Sequence, residues 1–371
     1  MGNWRNGELG NFITLKRGFD LPQQKREDGQ VPIFSSSGIT GTHSTAMVNA
    51  PGVITGRYGT IGEVFYAAED FWPLNTTLFV EDFHGNDAKF IYYFLKTLEW
   101  SKFTSASAVP GINRNTVHKE TVSLPDIETQ RRIASTLSML DEKIKTNTEI
   151  NDNLEQQAHS YFQELFVDNA SPEWTTGTIS DLGTVVGGST PSKAKPEYYT
   201  ESGIAWITPK DLSINKSKFI SHGENDITEL GLKNSSAAIM PEGTVLFSSR
   251  APIGYIAIAA GEVTTNQGFK SVVPKPEIGT PFVYFFLKNT LPVIEGMASG
   301  STFKEVSGST MKNVPAVIPD AEILAKFSDF CAPIFAQQRT LEEQNQSLAK
   351  LRDSLLPKLM SGEIDVSAVH L

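Results

Sequence analysis

The strongest constraint on this 371-residue chain is that it repeats itself. "KFIYYFLKT" fills residues 89–97 and "PFVYFFLKN" residues 281–289, with five of nine positions identical. The echo continues on both sides in unchanged order. "TGRYGTIGEV" (55–64) answers "SSRAPIGYI" (248–256), aligning Arg57 with Arg250 and Gly62 with Gly254. "LNTTLFV" (74–80) answers "TNQGFKSVV" (265–273), aligning Asn75 with Asn266. "INRNTV" (112–117) and "VSGSTM" (306–311) follow, then "LPDIETQ" (124–130) and "IPDAEIL" (318–324). Each half also opens on a Trp shortly before a Gly, in "NWRNGELGNF" (3–12) and "EWTTGTISDLG" (173–183). A repeat of half the chain length means a duplicated domain, so each half must build its own core.

Each half ends in helical sequence. From Ile133 a seam runs through Leu137, Leu140, Ile144, Asn147, Asn151, Leu154, Ala158, Tyr161 and Leu165. Its steps alternate four and three, the pattern of a coiled coil. The second half gives Phe327, Cys331, Ile334, Gln338, Leu341, Asn345, Leu348, Arg352, Leu355 and Leu359, a weaker register that Pro333 is expected to kink or delay. Asn151 and Asn345 share a seam position, where a buried Asn sets register at some cost in stability. A helix over 128–166 would be about 58 Å long and cannot hide its stripe alone. Its twin in the other half is the expected partner, antiparallel if the halves are related by a pseudo-two-fold axis.

The globular parts read as mixed structure. "GVITGRYGTIGEVFYAA" (52–68) and "GTVLFSSRAPIGYIAIAAGEVTTN" (243–266) are β-branched runs broken by Gly and Pro, hence strands and turns. "AKFIYYFLKTLEW" (88–100) carries aromatics on a helical period and predicts a buried helix, as does its repeat. The expected fold class is α+β, two mixed α/β domains each followed by a long helix, the helices pairing as an antiparallel coiled coil. The expected segments are a domain over 1–125, a spacer helix over 126–168, a second domain over 169–319, a second spacer helix over 320–360 and a tail over 361–371.

Chemistry is conspicuous by what is missing. There is no Gly-x-x-x-x-Gly-Lys-Ser/Thr loop, no His-Glu-x-x-His, no Gly-x-Ser-x-Gly and no Asn/Asp-Pro-Pro-aromatic sequence. The six histidines lack ligand spacing, and the single cysteine, Cys331, excludes a disulfide framework or a Cys-based zinc site. No apolar run approaches the ~20 residues of a membrane span, and the N-terminus shows no signal-peptide core, so a cytoplasmic protein without a membrane partner is expected. The net charge of −10 argues at first against nucleic acid. Its distribution does not. Residues 1–125 carry 11 basic and 12 acidic residues and residues 171–319 carry 12 and 13, so most of the acidity lies in the helical segments. These properties describe a binding protein.

The chain resembles the DNA-specificity subunit of type I restriction–modification systems over nearly its whole length. The resemblance rests on "LPDIETQRRIASTLSMLDEKI" (124–144), "GSTFKEVSGSTMKNVPAVIPD" (300–320) and the ending "LLPKLMSGEIDV" (355–366). The first half departs from the fuller pattern with "SASAVPGINRNTV". The resemblance implies a non-catalytic DNA-binding subunit of a phage-defence complex. Each globular domain would be a target recognition domain reading one half of a bipartite target in double-stranded DNA, and the helices would set the gap. Two modification subunits, carrying S-adenosylmethionine and methylating adenine at N6, would dock on it. Restriction (translocase) subunits would join them. No cofactor is expected on this chain. The alternative is a duplicated coiled-coil adaptor without sequence-specific DNA contact.

Two readers of different half-sites share scaffold and phosphate contacts and differ in base contacts. Arg57 and Arg250, in matched turns, suit either a phosphate contact or a buttress to a carboxylate or carbonyl. Tyr58 offers stacking or a phosphate contact, or simple packing. Lys304 and Arg114 lie near the loops before the helices. Base contacts belong where the halves diverge, over 16–45 and 190–235. The candidates there are Lys16, Arg17, Lys25, Arg26, Ser35, Ser36 and His43 in the first half. In the second they are Lys193, Lys195, Lys210, Asp211, Lys216 and Lys218, with the "TPKD" turn (208–211) favoured by the resemblance. Ile133, Leu137, Leu140, Ile144, Asn151, Leu154, Ile334, Leu341, Asn345 and Leu348 are the candidate seam and partner positions.

Overall fold

A computed structural model describes residues 4–104, 111–300 and 304–366. Ser105–Pro110, Ser301–Phe303 and the tail residues 367–371 lie outside the described residues, and with them parts of two motifs named above. The chain divides into two compact units, residues 1–144 with 346–371 and residues 145–345, so each unit takes part of both long helices.

In the first unit an antiparallel sheet has the order Thr14–Arg17, Thr77–Asp82, Gly52–Gly56, Val64–Ala67. Gly52–Gly56 is buried at all five positions, which suits its β-branched centre and its place between two partners. A smaller sheet sets Val31–Ser35 antiparallel to Gly38–His43 and parallel to Trp72–Pro73. The helix Ala88–Lys96 starts where the Asp87 carboxylate accepts the Phe90 N–H at 2.8 Å, and it buries Phe90, Ile91, Tyr93, Phe94 and Leu95. That face meets Leu15, Val53 and Val80 of the sheet, and Ile133, Leu137, Leu359 and Met360 of the long helices complete the same core.

The second unit repeats this plan. Its main sheet has the order Gly183–Gly187, Lys270–Pro274, Val245–Ser249, Ile253–Ala259, with Phe219–Ile220 added in parallel at the edge. Ile204–Ile207 lies antiparallel to Asn225–Ile227 and parallel to Thr264–Thr265, matching the smaller sheet of the first unit. Thr280–Met297 is the aromatic helix, longer than its twin and passing through Pro292. Paired strands close each unit: Arg5–Glu8 with Thr121–Leu124, and Thr175–Thr178 with Pro315–Ile318. Gly62 and Gly254 turn the chain with φ of 90° and 95°, a conformation open to glycine at little cost.

The long helices run Ile127–Gln163 and Ala321–Met360. They are antiparallel: within the second unit Asn147 meets Asn345 at 2.9 Å and Asn151 meets Gln338. Pro333 neither delays nor interrupts its helix, which begins twelve residues earlier. Pro333 is exposed, while Cys331, Ile334 and Phe335 around it are buried, so packing outweighs the one lost hydrogen bond. Asn151 and Asn345, equivalent by the repeat, do not face each other; each meets a different seam residue, as antiparallel pairing requires.

Candidate nucleic-acid interface

In the second unit Arg250 directly follows the strand Val245–Ser249, and Ala251 comes next with a φ of 49°, unusual for a residue with a Cβ. Arg250 lines two concavities. The first, about 670 Å³, is walled by Lys193, Trp206, Lys210, Asn225 and Gln267 among others. The second, about 720 Å³, includes Ile253, Glu295, Lys304 and Glu305. Trp206 is held rigidly, its indole N–H donating to the Ser189 carbonyl at 3.0 Å and its ring meeting Tyr199 edge-on. Arg250 lies 3.4 Å from the Glu305 carboxylate, which also faces Lys270 at 3.9 Å. Burial pushes the Lys270 ammonium below its usual range, against the opposing pull of Glu305.

The "TPKD" turn is the N-terminus of the helix Pro209–Ile214. Asp211 is buried there, its Oδ2 accepting the Thr208 N–H at 2.7 Å and the Thr208 hydroxyl at 2.6 Å. Its Oδ1 accepts the Glu224 N–H at 2.8 Å. The structure therefore gives Asp211 a capping role in place of the base contact expected of it. Lys210 remains exposed on the cavity wall, paired with Glu224 at 2.5 Å. Lys193 is exposed on the same cavity, whereas Lys195 pairs with Glu197 at 3.7 Å and is not among its lining residues. Lys216 lies over the Tyr255 ring. Lys218 is buried between the sheet and the long helices, which removes it from any groove.

In the first unit the candidates do not form one cluster. Arg57, Tyr58 and Ser36 are neighbours: the Arg57 guanidinium lies 4.6 Å from the Tyr58 ring centroid and donates to the Ile112 carbonyl at 3.4 Å. Tyr58 packs over Gly111, and Ser36 closes on the backbone of Gly56 and Gly59. Arg57 thus has a carbonyl where Arg250 has a carboxylate. Lys16, tied to Glu81 across the sheet, and Arg17, 4.0 Å from Asp20, form a second, half-exposed group. Ser35 bonds Ser37 and the Gly38 carbonyl, so its hydroxyl shapes the hairpin turn. His43 is buried, accepts the Glu27 N–H at 3.0 Å and meets Trp72 edge-on. Its place is internal, a correction to its reading as a groove contact.

Along the seam Ile133, Leu137, Ile334 and Leu341 are buried. Leu140, Ile144, Asn151, Leu154, Asn345 and Leu348 are half-buried. Sequence reasoning passed over Trp206, Asn225 and Gln267, which wall the cavity beside Arg250. Neither charge nor a motif marks them, and only their position relative to the repeat could have.

Two halves with one strand order, each followed by a long helix, define a duplicated α+β scaffold. The family described as the type I restriction modification DNA specificity domain matches this chain twice, over residues 1–156 and 172–349. The chain belongs to that family. It is 38% identical over 192 residues to the type I restriction enzyme MjaIX specificity subunit of Methanocaldococcus jannaschii, a match spanning 51% of this chain and 44% of that one. It is 25% identical over 347 residues to the HindI specificity subunit of Haemophilus influenzae, covering 72% of this chain and 75% of that relative. The crystal structure of the type I S subunit from M. genitalium shares the fold, with a TM-score of 0.65 at 19% identity over 96% of each chain.

Proposed function

We propose that this chain is the DNA-recognition subunit of a type I restriction–modification complex, with each unit reading one half of a bipartite target in double-stranded DNA. One observation carries this reading. The two units share a strand order and an arginine at the same turn, yet differ in the segments that surround it. A shared frame with divergent walls suits two readers of different sequences, with Arg57 and Arg250 on phosphate. The long helices, continuous through both units, act as the spacer that sets the gap. The chain supplies no catalytic group and no cofactor. Two modification subunits bring S-adenosylmethionine and methylate a flipped adenine, and restriction subunits join them in the cytoplasm.

The test is adenine-methylation mapping of DNA from cells that co-express this chain with its modification subunit, against the modification subunit alone. A motif in two halves, with one methyladenine in each half on opposite strands, is the expected result. Copurification of the two proteins without any motif would refute sequence reading and leave a coiled-coil adaptor.

A further inference from the structure

At the shared arginine the two units have a common backbone frame and a different side chain beside it. In the first unit Thr55 and Gly56 pair with Leu78 and Thr77, and the Arg57 N–H donates to the Thr76 carbonyl at 2.8 Å. In the second, Ser248 bridges to Phe269 and the Ser249 N–H donates to the Gly268 carbonyl at 2.7 Å. Thr76 and Gln267 therefore occupy one structural position, each following a matched asparagine (Asn75, Asn266) and lying beside the shared arginine. The frame is common to both, and the side chain is not. Thr76 is short and half-buried, whereas Gln267 is long and exposed, on the wall of the 670 Å³ cavity with Lys193, Asn225 and Arg250.

We infer that Gln267 reads the edge of one base pair, with adenine the preferred base, in the half-site of the second unit; this rests on the function proposed above. A primary amide offers a donor and an acceptor side by side, the pair that matches N7 and N6 of adenine in the major groove. The Thr190 hydroxyl donates to the Gln267 carbonyl oxygen, which restrains the side chain before DNA arrives. Among the described residues the amide nitrogen has no hydrogen-bond partner. Lys193 and Arg250 border the same cavity and supply the cations that place a phosphate backbone against it. Arg250, common to both units, positions; Gln267, peculiar to one, specifies.

The test compares methylation motifs written by complexes carrying the wild-type chain, Gln267→Ala, Gln267→Thr (the first unit's residue) and Arg250→Ala. Q267A and Q267T are expected to leave the first half-site and the gap unchanged. They relax one position of the second half-site, lowering discrimination there roughly 5- to 150-fold. R250A is expected to lower methylation evenly at all wild-type sites. An unchanged motif in Q267A, or an even loss without relaxation at any position, overturns the inference. If Q267A methylates nothing, binding of its complex to duplexes differing at single second-half base pairs decides. Discrimination lost at one pair supports the inference, and discrimination kept or lost evenly at every pair overturns it. A wild-type complex without a bipartite motif would refute the proposed function instead, so the two failures are distinguishable.

Discussion

Replacing Lys218 by Met should destabilise the second unit by about 3 kcal/mol. The Lys218 side chain is only 6% exposed. Its ammonium pairs with Glu155 on the first long helix, donates to the Gln338 amide oxygen on the second at 2.6 Å, and lies 4.0 Å from the Phe335 ring centroid. The backbone N–H groups of Lys218 and Phe219 donate to Glu342 at 2.7 and 3.0 Å. One segment is thereby bolted to both helices. Burial alone would raise the Glu155 carboxyl, but Lys218 and Lys288 outweigh it and hold the group below its usual range. Met fills the aliphatic space of Lys and removes the charge, leaving Glu155 with Lys288 at 2.5 Å and the Tyr284 hydroxyl at 3.1 Å. Removing one partner of a buried pair costs about 3–5 kcal/mol, and the surviving Lys288 contact argues for the lower end.

The assay is urea unfolding followed by hydrogen exchange of peptides from 204–220 and 245–259. With a slope of about 2 kcal/mol per M, the midpoint should fall by roughly 1.5 M. Lys218→Met with Glu155→Leu should recover most of that loss, because an apolar pair of similar volume has no stranded charge. A cost under about 0.5 kcal/mol for the single variant, within the range of neutral surface substitutions, would refute the buried-pair reasoning. So would a double variant whose cost equals the sum of its parts. The pH dependence has a sign of its own. A depressed carboxyl contributes stability above its unfolded pKa and loses it as pH falls through the folded value, so the wild type should lose stability below about pH 4.5 more steeply than K218M.

Gly254→Ala places a Cβ 2.7 Å from a Leu291 methyl carbon at positive φ, whereas Gly62→Ala meets Trp100 only at 3.3 Å. Both should destabilise by about 1 kcal/mol or more, G254A the more strongly, with thermal midpoints as the measure. His118 accepts the Leu15 N–H at Nε2 at 2.8 Å, and burial, then Arg114 and His84, push its pKa down. The unfolded imidazole binds protons first, so stability should fall as pH drops below about 6.5, and His118→Gln should flatten that slope in exchange measured at Leu15. Deleting one heptad from each long helix should shorten the permitted gap by up to about 3 base pairs, at 1.5 Å per residue against 3.4 Å per base pair, and leave both half-sites unchanged. Altered half-site bases in the methylation map would refute the spacer role.

The duplication made most of the architecture legible, because matched segments in one order imply matched strands in one order. Both aromatic segments form buried helices, and the four-three spacing from Ile133 marks the inward side of the first long helix. Pro333 misled because a local rule weighs one hydrogen bond, whereas buried Cys331, Ile334 and Phe335 weigh a whole face. Linear order also hid that Leu359, Met360 and Val366, at the far end of the chain, complete a core begun by Leu9.

The candidate interface was less legible, since residue type announces polarity and not direction. Lys218 and His43 have the composition of groove residues and the surroundings of core residues, each satisfied by partners far away in sequence. Asp211 failed for a related reason: a carboxylate three residues after a threonine at a helix start is a capping device before it is anything else. What survived was the contrast between the halves. Arg57 and Arg250 share a turn, yet one leans on a carbonyl and the other on Glu305. The residue beside each differs between the units. A position fixed in backbone and free in side chain is where a duplicated reader can change its target without changing its fold, and Thr76 and Gln267 hold that position.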